Sequence, residues 1–275
     1  MTKNQKTLLF VLLLLLSIGF ILFLMYRPDI EEQTPLTYKV YTSYPYTSID
    51  DFFPSNKANQ VVRYTNINLA YNEESEQALW VCYLLTKNHL EHSVYKRKNK
   101  FKSDPNIVSI SASVKDYYKS GYDRGHLAPA ADMLWSEKAM LESFYMSNIS
   151  PQEPGFNRGA WKKLEGQVRK LALLEDSIII ITGPLFLDTL GSIGENKVLI
   201  PSHFYKAVID ISAPRLGALA FVMPNRNTKL PFDNFAVSID SLELLIGLDF
   251  MESLTKDLQI QLESKIDKHL LESIN

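Results

Sequence analysis

The 275-residue chain has one cysteine, Cys82, so it can close no disulfide within itself and cannot build a zinc site from several thiolates. It also lacks a surplus of positive charge: 29 Lys and Arg stand against 31 Asp and Glu, a formal net charge of −2. Three of those bases, Lys3, Lys6 and Arg27, lie in the first 27 residues, which contain no acid; the remainder has 26 bases against 31 acids, a net of −5. Such a balance excludes a protein that coats nucleic acid by bulk charge, but not an enzyme that gathers positive charge in one cleft. There is no internal repeat and no low-complexity tract beyond a leucine run near the N-terminus. A hydrophobic fraction of 46% with 22% charged residues excludes intrinsic disorder, and the length suits one catalytic domain plus a small appendage.

Leu8 to Tyr26 is a run of 19 uncharged residues. As a helix it would span roughly 28 Å, close to the hydrocarbon thickness of a bilayer. Lys3 and Lys6 precede it, whereas Asp29, Glu31 and Glu32 follow Arg27, so the positive-inside bias puts the short N-terminus in the cytoplasm and the large domain outside. A cleaved signal peptide is the competing reading, but its apolar region would be shorter and would end in a small-x-small site, whereas this run ends Phe23-Leu24-Met25-Tyr26-Arg27. The expectation is an uncleaved signal anchor over 1–27, with one transmembrane helix. A tether follows over 28–59, polar and containing Pro35, Pro45 and Pro54, and then a catalytic domain over 60–275. The domain is expected on the extracytoplasmic side, the periplasmic face of a bacterial inner membrane, with secretion after cleavage as the second reading.

From Val61 the chain changes character. Val61–Leu69 and Ala78–Thr86 are rich in β-branched and aromatic residues and are separated by the polar Tyr71–Gln77, which predicts a hairpin-like pair of strands. Ser136–Ser147 reads as helical. Over Asn157–Leu174 the spacing of Trp161, Leu164, Val168 and Leu171 marks one helical face. Ser177–Thr182, Phe204–Ile211 and Ala218–Met223 read as strands, and Met251–Ile274 as a terminal amphipathic helix. Strands and helices do not alternate regularly, which favours an α+β domain with a mostly antiparallel central sheet and flanking helices over a doubly wound parallel one.

The chemistry is concentrated in Gly121–Arg169. It opens Gly121-Tyr122-Asp123-Arg124-Gly125-His126-Leu127-Ala128-Pro129, continues with Ser147-Asn148-Ile149-Ser150-Pro151-Gln152, and ends with Asn157, Arg158, Trp161, Leu164, Glu165 and Arg169. Hydrolysis of a phosphodiester needs a base for water, a cation on the non-bridging oxygens and help for the leaving oxygen. A histidine can be neutral at pH 7 and accept the proton. Mg²⁺ prefers oxygen ligands and keeps several waters, so an amide oxygen from Asn157 with water-mediated help from Glu165 would suit it. Mn²⁺ shares those ligands. Arginine supplies permanent charge that forks onto phosphate. On a regular helix Asn157 and Glu165 would stand ~12 Å apart along the axis, so both serve one ion only if one reaches it through water. Asn157 as direct ligand and Glu165 behind a water is the preferred arrangement.

This stretch resembles the DNA/RNA non-specific endonucleases. Asp-Arg-Gly-His, Ser-Asn-Ile-x-Pro-Gln and Asn-x3-Trp-x3-Glu-x3-Arg occur in order, and Ala70-Tyr71-Asn72, Trp80-Val81, Phe101 with Asp104-Pro105, Thr182-Gly183-Pro184 and Tyr205-Lys206 extend the likeness over about residues 60–250. The resemblance implies a ββα-metal motif, cleavage of DNA and RNA with little sequence preference, and 5′-phosphate ends. It implies His126 as general base, Asn157 as direct Mg²⁺ ligand and Glu165 holding a metal-bound water. Arg124 and Arg169 would contact the phosphate or transition state, and Asn148 would help orient the site. The family also places a substrate-binding arginine upstream of the signature. Here the run Lys96-Arg97-Lys98-Asn99-Lys100 offers several candidates, Arg97 and Lys100 among them. Relatives include dimers, and a homodimer stays open.

Blander readings compete. Asp123 reads as a structural carboxylate that pairs with a nearby base, and Asp132 as a turn or cap residue. Trp161 and Leu164 read as core. Arg158 either touches phosphate or is simply solvated. His89, His92, His203 and His269 lack ligand spacing and read as ordinary surface or packing residues. Two further functions stand beside the nuclease: a membrane-tethered binding module without turnover, and a phosphodiesterase or phosphatase acting on a smaller ester.

Overall fold

Long β-branched runs set the architecture. The computed structural model describes residues 48–275 except 56, 57, 59, 110, 189, 213 and 214. Three strands form its centre: β3 (Gln77–Thr86), β6 (Ser177–Leu185) and β9 (His203–Asp210). Ile178 to Leu185 and Phe204 to Asp210 are buried throughout, so these strands are covered on both faces and read as continuous apolar runs. With β1 (Gln60–Arg63), β2 (Asn68–Asn72), β10 (Gly217–Pro224) and β11 (Ala236–Val237) they make a seven-stranded sheet in the order β1-β2-β3-β6-β9-β10-β11, every neighbouring pair antiparallel. The domain is therefore α+β with an antiparallel central sheet.

Between β3 and β6 the chain makes a long excursion that carries the candidate site. It includes α1 (Lys87–Glu91), the strand β4 (Asp123–His126), α2 (Glu137–Glu142), β5 (Ile149–Gln152) and α3 (Lys162–Glu175). The strands β4 and β5 pair with each other outside the main sheet, and a wide helical turn, Phe156–Trp161, leads from them into α3. A third ribbon, β7 (Ser192–Ile193) with β8 (Val198–Leu199), follows β6. Leu164, Val168 and Leu171 of α3 and Trp161 before it share one buried cluster with Val81, Tyr83, Ile178, Ile180, Phe204, Val208, Leu219 and Phe221 of the sheet. Burying a side chain of this size contributes about 1.5–3 kcal/mol, so this helix face holds the excursion down. Three helices end the chain: α4 (Ile239–Ile246), α5 (Lys256–Glu263) and α6 (Lys268–Ile274). The first two pack against β10, and α6 lies against α3.

Several expectations change. The run Val61–Leu69 is two strands, split at the turn where the Tyr64 amide donates to the Ile67 carbonyl. Helix at Ser136–Ser147 shrinks to Glu137–Glu142, because a 3-10 turn, Met146–Asn148, already leads into β5. The terminal segment is two short helices, since Asp267 caps a new one by accepting from the Leu270 amide. In the stretch read as a tether, a 3-10 turn over Ile49–Phe52 buries Phe52, and Asp50 pairs with Arg63. The Leu8–Tyr26 run lies outside the described residues. Among the described residues, no helix is long and apolar enough to cross a membrane.

Candidate active site

The ribbon β4–β5 presents the first half of the site. Period-2 alternation sends Arg124 and His126 to one side, where both line a cleft of about 270 Å³. Gly125 between them opposes Ser150, and a Cβ there would meet the buried Gln152 side chain at 2.1 Å, so the two strands can close only over glycine. The His126 ring packs edge-on to Phe144, centroids 4.9 Å apart, and 5.4 Å from Phe101. Its Nε2 is shut off from solvent and has no hydrogen-bond partner. Burial lowers the ring's pKa to about 3, and the Arg97 charge adds to the effect. The ring is therefore neutral at ordinary pH.

Behind His126, Asn148 holds the following loop. Its Oδ1 accepts from the Ala128 amide at 2.9 Å, and its Nδ2 donates to the Ala128 and Ser143 carbonyls at 2.9 and 2.8 Å. The side chain is buried, both amide hydrogens are committed, and it does not line the cleft. Asn148 thus braces the loop after His126 from behind the cleft.

The second half comes from the helix. Phe156–Trp161 is a wide turn of the i→i+5 type, and the chain kinks at Gly159 before α3 begins at Lys162. Asn157 therefore stands off the regular helix, and the ~12 Å axial separation expected from Glu165 does not apply. Both line the cleft. Within α3, Lys162, Glu165 and Arg169 recur at i+3 and i+7 on a face next to the core stripe, and with Arg158 of the preceding turn they line the cleft.

Asp123 ties the halves together. Its Oδ2 accepts from Asn157 Nδ2 at 2.8 Å, and Arg158 forks onto the same carboxylate at 2.8 and 2.6 Å. Burial alone would raise this carboxyl, but the hydrogen bonds from Arg158 and Asn157 outweigh it, and its pKa lies below the ordinary carboxylate value. Because an ionised carboxylate only accepts, the amide nitrogen of Asn157 must face Asp123, and its carbonyl oxygen is the end left for a ligand. The reading of Asp123 as a paired structural carboxylate holds, and Arg158 is bound to it.

Asp132 lies in the 3-10 turn Ala130–Met133, as its reading as a turn or cap residue expects, and its side chain does more. It is buried, accepts from Tyr83 Oη at 2.7 Å and pairs with Arg169 at 2.7 Å. Arg169, which lines the cleft, is thereby held in place. Nearby lies Lys206 of β9, 1% exposed, with its Nζ 4.7 Å from the Trp161 ring centroid and without a hydrogen-bond partner. Burial pushes the Glu165 carboxyl up and the Lys206 ammonium down, and each opposes the shift of the other through its charge.

The upstream bases divide. Arg97 lines the cleft and lies 5.3 Å from the Phe144 ring centroid, as Arg124 lies 4.4 Å from that of Phe101. Lys100 is exposed and does not line it. Arg97, Arg124, Arg158, Lys162 and Arg169 thus surround a single acid, Glu165, on a chain of net negative charge. Sequence reading passed over Lys162 and gave Lys206 no site role, quoting it only within the family likeness. The helical period that relates Arg158, Glu165 and Arg169 contained the signal for Lys162; Lys206 becomes visible only once β9 is placed under α3.

The sequence pattern of the family described as DNA/RNA non-specific endonuclease matches residues 47–257. Nuclease C1 of Cunninghamella echinulata var. echinulata is 37% identical over 223 residues, 75% of this chain and 88% of that protein. Human mitochondrial endonuclease G is 36% identical over 200 residues, 68% of this chain and 67% of that protein. Human mitochondrial nuclease EXOG is 36% identical across 74% of this chain and 60% of its own length. Among solved structures, a chain in the crystal structure of an EndoG/EndoGI complex superposes with a TM-score of 0.71 at 33% identity, covering 78% of this chain and 92% of that one. With its ordered motifs converging on one basic cleft, the chain belongs to the DNA/RNA non-specific endonucleases and is a nuclease of the hydrolase class.

Proposed function

We propose that the chain is a metal-dependent endonuclease that hydrolyses phosphodiester bonds of DNA and RNA with little sequence preference and leaves 5′-phosphate ends. The observation that carries this reading is the convergence of His126, Asn157 and Glu165 in one cleft ringed by five bases. In this reading the neutral His126 ring takes the proton of the attacking water. Since Nε2 is enclosed, the accepting nitrogen is Nδ1, and the neutral tautomer carries its hydrogen on Nε2. A phosphate entering the cleft offsets the Arg97 charge and raises the ring's affinity for a proton as substrate arrives. Asn157 would hold Mg²⁺, or Mn²⁺, through its side-chain oxygen, and Glu165 a water of that ion; the donor set is all oxygen, as these ions require. When bound, the ion supplies charge stabilisation at the phosphate and the leaving oxygen. Arg97, Arg124 and Arg169 orient the phosphate, and the excess of bases draws polyanions to an otherwise acidic molecule.

Asp123 should matter through metal affinity. Asp123→Ala frees the Asn157 amide to rotate, so the Mg²⁺ concentration giving half-maximal activity should rise about 10–100-fold with little change in the saturated rate. A saturated rate that collapses at unchanged metal requirement would contradict the positioning role.

We also propose that Leu8–Tyr26 anchors the chain in a membrane with the catalytic domain on the extracytoplasmic side; its length, its lack of charge and the basic residues before it support this. One experiment addresses enzyme and anchor together. Membranes from cells expressing the full chain should cleave plasmid DNA and RNA when Mg²⁺ is added and stop when it is chelated. Activity confined to the soluble fraction would remove the anchor. Binding without cleavage under any metal would remove the enzyme in favour of a binding module, and a preference for small diesters would favour the third reading.

A further inference from the structure

Among the described residues, three carboxylates away from the cleft stand together without an ion-pair partner. Asp240 and Glu243 stand three residues apart on α4 and so share a face. Glu263 is the last residue of α5, where the helix's own carbonyls already disfavour a negative charge. One oxygen from each of the three lies within 4.8 Å of those of the others. Glu263 is 4% exposed, and its Oε1 is out of reach of water with no hydrogen-bond donor beside it. Glu243 uses Oε1 to accept from the Phe250 amide at 2.7 Å. None of the ion pairs among the described residues involves any of the three. Lys256, the base that acts on Glu263, donates its Nζ to Gln259 at 3.0 Å.

The electrostatics run the same way. Burial, with the charges of Glu243, Asp240 and Asp249, pushes the Glu263 carboxyl up to about 7. Burial first, and Asp249 and Asp240 after it, push Glu243 up to about 6. A buried oxygen with neither proton donor nor cation is costly, and carboxylates this close repel. A calcium ion relieves both: its oxygen ligands lie at about 2.3–2.6 Å, so ligands on opposite sides stand at most ~5 Å apart, and it tolerates irregular, carboxylate-rich shells. Mg²⁺ demands a tighter octahedron and gives up its waters reluctantly.

We propose that Asp240, Glu243 and Glu263 bind a calcium ion that clamps α4 to α5. None of the three lines the catalytic cleft, so the site stands independently of the nuclease chemistry.

The test is thermal unfolding of the full chain, stripped of metal and then given CaCl₂. The wild-type chain should melt roughly 5–10 °C higher once calcium exceeds its dissociation constant a hundredfold. Glu263→Gln keeps the shape and removes a charge. It should melt at or above wild type in chelator and below it in calcium, an inversion that general destabilisation does not produce. Asn157→Ala should keep the full calcium response, which separates this site from the cleft. Titration calorimetry of CaCl₂ into the Asn157→Ala chain should show one site that is lost when Glu263→Gln is added. Should Glu263→Gln not fold, Asp240→Asn at the exposed helix start takes its place. Equal calcium responses in wild type and the carboxylate variant, or no response in wild type, would overturn the proposal.

Discussion

His126→Ala should lower kcat/KM on polymeric DNA by about 10²–10⁴-fold, the range that a positioned general base supplies. Affinity for the polymer should change far less, because Arg97, Arg124, Lys162 and Arg169 remain around the cleft. The same variant should change the acid stability of the chain, and the sign follows from the ring's environment. Folded, the ring has a pKa of about 3; unfolded, it titrates near 6.5. Below pH 6.5 the unfolded chain takes up a proton that the folded chain refuses. The native state therefore loses up to ~1.4 kcal/mol per pH unit from this group as pH falls from about 6.5 towards 3, with no further loss below. His126→Ala removes that slope while adding the cost of a cavity beside Phe101 and Phe144, so its stability should be lower at pH 7 but less sensitive to acid. Denaturant midpoints at pH 7 and pH 5 measure both effects. Undiminished cleavage by the variant would refute His126 as the base.

Asn157→Ala should cost at least as much as losing a residue behind a metal ligand, more than about 10–100-fold, and extra Mg²⁺ should not restore the rate. Asn157→Asp makes the case specific. A carboxylate is ordinarily the better partner for a hard cation, yet at 157 it would face Asp123, which now receives a 2.8 Å hydrogen bond from the amide. Two carboxylates would meet there with no hydrogen between them, so Asn157→Asp should be poorly active. Exchanging the pair, Asp123→Asn with Asn157→Asp, restores one donor and one acceptor and should recover part of the activity despite the loss of the Arg158 fork. Metal-titrated cleavage by the three variants tests this. Full Mg²⁺-dependent turnover in Asn157→Ala would exclude the residue as the ligand.

The sheet was legible where strands are long and buried on both faces: Ser177–Leu185, His203–Asp210 and Gly217–Pro224 stand out as β-branched and aromatic runs. It was less so where tertiary contacts interrupt an apolar pattern. Val62 and Ile67 are both buried, and the polar Arg63-Tyr64-Thr65-Asn66 between them was the hydropathy signal for the turn, passed over because Tyr64 and Thr65 also suit a strand. Helix α4 went unread although Ser238 caps it and Gly247, at φ +66°, ends it, because its eight residues carry no long amphipathic period. At the site, the residues within the motifs converge as their order suggested, since a strand and the following helix are local elements. What the sequence hid is the polar layer beneath: Asp132 joined to Tyr83, and Lys206 set below Trp161, depend on strands distant in the chain.

Because the core stripe and the cleft residues of α3 occupy neighbouring faces of one helix, drift in its packing is never silent. Replacing Trp161 or Leu164 with a side chain of another volume would roll the rod a fraction of a turn, and misplacement by about 1 Å can slow a reaction 10²-fold. A lineage exploring new substrates would therefore vary the segment around Lys96–Lys102 and keep the rod as it inherited it.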